Sequence, residues 1–172
     1  MTIFLDLAGS LIVRASMVTV MLGLTVTMNN ALFETTQQTN AAATVATVGE
    51  IMYTDLNQTI ANGVLASNPT MMQFKADTSM GGGNKATITY TATLDGTSGL
   101  YNLTRKVGSK TTTISNNLVS VQFQYVDTDG HATTTPSEVD GIRVKLVAQV
   151  SGVTQGFSTT LNDFKVFPPN LN

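Results

Sequence analysis

Between Arg14 and Glu34 the chain carries no charged residue, and the stretch ASMVTVMLGLTVTMNNALF is apolar, small or uncharged throughout. Charged residues are 12% of the whole sequence, about half the share in an average soluble domain. A run of this kind must be kept from water by a bilayer, by the rest of the chain, by copies of itself, or by removal as a signal peptide. Counted from Ile3 to Met28 it reaches about 26 residues, which at about 1.5 Å each exceeds the roughly 30 Å core of a membrane. A signal peptide needs a basic start. Residues 1–5 hold no Lys or Arg and the first charge is Asp6, which disfavours one. Arg14 sits near the middle of the run, where it costs about 2.5 to 3.5 kcal/mol on insertion scales unless it finds a partner.

The run does not end in a turn. No proline occurs from Asn29 to Ala66, and Ala41, Val45, Val48, Met52, Leu56 and Ile60 recur at helical spacing. Asp55, Asn57, Gln58 and Asn62 fall on the polar side, and Asn62-Gly63 followed by Asn68-Pro69 reads as the stop. The pattern predicts one helix of about 60 residues, roughly 90 Å long, whose N-terminal half protrudes from any domain of this size.

Past Pro69 the period changes. Segments 86–94, 99–107, 111–115, 118–127, 141–152 and 155–167 alternate β-branched and aromatic residues with polar ones, and GTSG, VGSK and DTDGHATTTPSEVD separate some of them. Val119, Val121, Phe123 and Tyr125 share one face, as do Ile142, Val144, Leu146 and Ala148. The expectation is an α+β chain in which an antiparallel sheet of about five to six strands takes the Ala41–Ile60 stripe as its cover. It divides into an apolar helix at 1–30, its amphipathic continuation at 31–66 and a sheet domain at 67–172.

The apolar helix growing amphipathic, the segment EIMYTDLNQTIANG and the pair of strands in LVSVQFQYVDTDGHATTTPSEVDGIRVKLVAQ together resemble the type IV pilin superfamily. The likeness is strongest to minor pilins and pseudopilins, in a divergent form: the family's usual leader and its Gly-Phe-Thr-Leu-Ile-Glu run are not among these residues. The resemblance implies a helical filament of identical subunits, membrane-inserted before assembly, with the helices bundled centrally and the sheet displayed outward. It implies no cofactor and no enzymatic activity. Leu11, Val18, Leu22 and Leu24 would then line the assembly surface, and Asp6 would match the family's acid near the N-terminus. Asp6 and Arg14 are about 12 Å apart along a helix and about 80° apart around it, so they suit pairing between staggered chains better than within one. The amine at the N-terminus is a rival partner for Asp6. The simpler reading is an Asp6 that solvates the first turn and an Arg14 that snorkels.

Other motifs point less strongly to chemistry. With 9 Lys+Arg and a net charge of -2, the chain lacks the basic patch that nucleic acid requires. The absence of cysteine removes disulfides and thiolate metal sites. Gly81-Gly82-Gly83-Asn84-Lys85-Ala86 lacks the spacing and hydroxyl of a phosphate loop and reads as a hairpin connection. Asp127 and Asp129, with Glu138 and Asp140 downstream, are weak calcium candidates that do not match an EF-hand and suit an Asp-Gly turn. His131, the sole histidine, has no sequence partner for a metal site or triad. Asn57 and Asn102 begin glycosylation sequons, equally readable as solvent-facing polar residues. No small-molecule substrate is expected.

Overall fold

The computed structural model describes residues 2–77, 85–150 and 158–168 of the chain. Helix α1 (Thr2–Asn57) runs for 56 residues, about 84 Å at 1.5 Å per residue. It stops earlier than the apolar spacing suggests. Gln58 N–H closes a tight turn onto the Asp55 carbonyl at 3.2 Å, and the Gln58 carbonyl then accepts from Asp77 N–H at 2.9 Å. That second bond draws the chain into sheet pairing, so Ile60 sits half-buried in a strand rather than on the helix.

Seven strands follow: β1 (Thr59–Asn68), β2 (Met71–Asp77), β3 (Lys85–Leu94), β4 (Tyr101–Val107), β5 (Lys110–Val126), β6 (Gly141–Val150) and β7 (Ser158–Val166). They form one antiparallel sheet in chain order. Two of them, β1 and β2, lie where the sequence suggests helix end and loop, so the sheet begins at Thr59 instead of residue 67. The segments expected at 111–115 and 118–127 are one strand of 17 residues, β5. Its register slips against β6 between Leu118 and Ser120. The slip puts Leu118 inside and leaves Val119 at 39% exposure, so Val119 does not share the face of Val121, Phe123 and Tyr125.

The core forms where α1 lies across β6 and β7. Ala41, Val45, Val48, Met52 and Leu56 are buried, as are Ile142, Val144, Leu146 and Ala148 on β6. Strands β3 and β4 add Ile88, Tyr90 and Leu103. The turn joining β1 to β2 meets β5: Phe123 N–H donates to the Pro69 carbonyl at 3.1 Å, and the Tyr125 hydroxyl reaches the Asn68 and Met71 carbonyls at 3.3 and 3.2 Å. Burial pushes the Tyr125 hydroxyl above its ordinary pKa.

Candidate functional site

The N-terminal half of α1 has no cover. Fourteen large apolar side chains from Leu7 to Phe33 are 45 to 67% exposed, Leu11, Val18, Leu22 and Leu24 among them. Burying fourteen such side chains is worth about 20 kcal/mol even at about 1.5 kcal/mol each. They point in every direction around the helix, the mark of a segment enclosed on all sides in use.

Four hydroxyls within this segment are already satisfied. Ser16, Thr19, Thr25 and Thr27 hydroxyls each donate to the carbonyl four residues earlier, at 2.9 Å. Such back-bonding lets a hydroxyl sit in hydrocarbon without an outside partner. The threonines that break the apolar run in sequence therefore do not break it in chemistry. Arg14 is exposed on the same segment. Asp6 lies on the helix, and its side chain is outside the described residues.

A second feature, missed in the sequence, fixes the helix to the sheet. By helical spacing Asp55 falls on the polar side, yet it is buried at 5% exposure. Arg105 of β4 grips its carboxylate with two bonds, Nε to Oδ2 at 2.6 Å and Nη2 to Oδ1 at 2.8 Å. The Tyr90 hydroxyl of β3 donates to the same Oδ2. Burial first, and the Asp55 charge second, push the Tyr90 hydroxyl well above its ordinary pKa; the hydrogen bond to Asp55 raises the Arg105 pKa. A bidentate pair has one good geometry, so the cluster sets the angle at which α1 leaves the sheet. Its members are 35 and 50 residues apart, beyond any local spacing rule. The lone signal was an acid between Met52 and Leu56.

The remaining candidates occupy ordinary positions. The Asp127 carboxylate accepts from Asp129 and His131 N–H at 3.0 and 2.8 Å, and Gly130 adopts φ +82, so the Asp-Gly turn is formed. No group of three potential metal ligands clusters among the described residues. Asn57 ends α1 and Asn102 lies on β4, both half-buried, and Thr59 of the first sequon is fully buried. Residues 81–84 of the glycine run lie outside the described residues, while Lys85 and Ala86 begin β3.

These elements define a class: an α+β chain whose exposed apolar helix projects from an antiparallel sheet and is long and apolar enough, by length and composition, to cross a membrane. Neither protein-family models nor curated proteins give a match to the sequence.

Proposed function

We propose that the chain is a structural subunit of an extracellular type IV pilus-like filament. It is membrane-inserted before assembly, polymerises through the N-terminal half of α1 and displays the sheet outward. The supporting observation is the uncovered apolar segment from Leu7 to Phe33, held rigidly to a folded domain by the Asp55–Arg105 pair. A flexible tether would suffice for a membrane anchor; a continuous helix fixed in angle suits a bundle of copies, because every subunit presents the same surface in the same direction. In this reading the protein is not an enzyme and needs no cofactor. A low-copy role as a minor pilin or pseudopilin uses the same contacts and differs in copy number.

The test is electron microscopy of surface material sheared from cells expressing the full chain, with the subunit identified by mass. Filaments built of this chain are expected, and a chain beginning near Asn30 is expected to be a soluble monomer. A full-length chain that stays monomeric in the membrane, or a truncated chain that still makes the filaments, refutes the assembly role.

A further inference from the structure

Charge is scarce in this sequence, and it is distributed unevenly along β5. At the start of that strand lies a lysine corner. Lys75 and Lys85 stand on β2 and β3, Lys106 on β4, and Lys110 opens β5; all four are exposed. The register places three of them on one face: Lys75 opposite Thr87, and Thr89 opposite Lys106, with Lys85 two residues from Thr87 on the same strand. Asp77 stands opposite Lys85. Lys75, Lys106 and Lys110 form no salt bridge among the described residues.

At the other end of β5 the sign reverses. The connection from Val126 to Gly141 carries Asp127, Asp129, Glu138 and Asp140 and no Lys or Arg. Asp129 and Glu138 are exposed. Val139, buried in the core, and the Asp140 N–H bond to the Val126 carbonyl at 2.8 Å hold this connection against the sheet. Four of the 9 Lys+Arg thus lie at the sheet edge where β5 begins, spread over β2 to β5, and four of the 11 Asp+Glu lie in the connection that leaves its other end.

We infer that the lysine corner of one copy docks on the acidic β5–β6 connection of the next. The occupant of each surface is a second copy of this chain. Two different, complementary patches on one molecule make a head-to-tail contact, and repetition of such a contact gives an open polymer. The inference rests on the filament reading and adds a contact between sheet domains to the one between helices.

Charge reversal in the full-length chain tests it. One variant carries Lys75→Glu and Lys106→Glu, which share one face, the other Asp129→Lys and Glu138→Lys; thermal unfolding of each confirms that these exposed changes leave the fold intact. Either variant alone is expected to need about tenfold more protein to assemble at low salt, with the difference shrinking as salt screens the charges. Mixing the two variants should restore assembly, since each reversed patch then meets its complement on the other. Placing all four substitutions in one chain should restore it as well. Assembly of both single-patch variants at the unchanged concentration overturns the inference while leaving the filament reading in place. Loss without rescue by either the mixture or the fourfold variant also overturns it; if the lysine variant then fails to bind vesicles of phosphatidylserine and phosphatidylcholine that the unaltered chain binds, the corner belongs to a lipid surface. Absence of filaments from the unaltered chain refutes the filament reading itself.

Discussion

Removing Arg105 should cost more than removing the charge of Asp55, although the two residues share the same bonds. The Asp55 side chain is 7% exposed and that of Arg105 is 29% exposed. In Arg105→Met the carboxylate stays buried with the Tyr90 hydroxyl as its remaining side-chain donor. Breaking a buried pair from one side costs about 3 to 5 kcal/mol, which the partial exposure of the guanidinium reduces to about 2 to 4 kcal/mol here. In Asp55→Asn the side chain keeps its shape, and Arg105 can turn its head to water, so the loss is about 1 to 2 kcal/mol. Combining Asp55→Leu with Arg105→Met leaves an apolar contact and should cost less than Arg105→Met alone, a coupling of at least about 1 kcal/mol. For a domain of this size each kcal/mol shifts Tm by roughly 2 to 4 °C. Urea and thermal unfolding of the chain from Asn30, followed by circular dichroism, reads all four proteins. Equal losses from Arg105→Met and Asp55→Asn, or a double variant no more stable than Arg105→Met alone, would show that the cluster does not act as a buried pair.

Three further outcomes follow from the same geometry. Tyr90 and Tyr125 hold their protons more tightly when folded than at the ordinary value of 10.0. Their stabilisation is therefore complete below about pH 10 and lost as pH rises through the higher folded values; urea midpoints should fall above about pH 10, and Tyr90→Phe with Tyr125→Phe should flatten that fall. In filaments, Asp6→Ala and Arg14→Ala should each weaken assembly by about 3 to 5 kcal/mol per broken contact, while exchanging the two residues should recover part of the yield. Normal yield from Arg14→Ala with loss from Asp6→Ala assigns the acid to a neighbouring N-terminal amine, and normal yield from both removes the charges from the assembly. Gly63→Ala should lower the unfolding free energy of the sheet domain, read from urea titration, by about 1 to 3 kcal/mol, because its methyl group would come within 2.5 Å of the Ile60 carbonyl and 2.8 Å of that of Lys75; unchanged stability would mean that β1 shifts freely.

The long helix and most of the sheet were legible because their periods are strong. Ala41, Val45, Val48, Met52 and Leu56 keep helical spacing, and Ile142, Val144, Leu146 and Ala148 alternate without a break; all nine are buried. Strands β1 and β2 were not. The alternation of Met72, Phe74 and Ala76 in β2 is a run of 7 residues beside Asn68-Pro69, which resembles a loop. Asn62 and Gly63 look like a helix stop, whereas Gly63 in fact lets two backbones approach inside a strand whose pairing with β2 is irregular. Val119 was misread for a similar reason: a register slip in mid-strand inverts the alternation, and nothing in LVSV announces it. The exposed segment was visible as a missing charge. The Asp55 cluster was invisible, because it depends on which strands lie beneath the helix end, and that is decided by the topology of the whole sheet.

The consecutive strand order has a consequence for the timing of folding. Every strand pairs with its neighbour in sequence, so the sheet can grow hairpin by hairpin as the chain leaves the ribosome. The helix cannot follow that schedule. Its stripe from Ala41 to Leu56 is among the first parts made, yet the strands it lies across, β6 and β7, are the last. Until synthesis nears its end the helix has only Tyr90 of β3 and Arg105 of β4 to hold its Asp55 end, its apolar stripe lacks β6 and β7, and its N-terminal half is at liberty to meet a bilayer or a chaperone first. A ribosome stalled before residue 141 would hold a partial sheet and a helix whose apolar stripe is uncovered, and a chain clipped ahead of β6 would lose the cover of its oldest element.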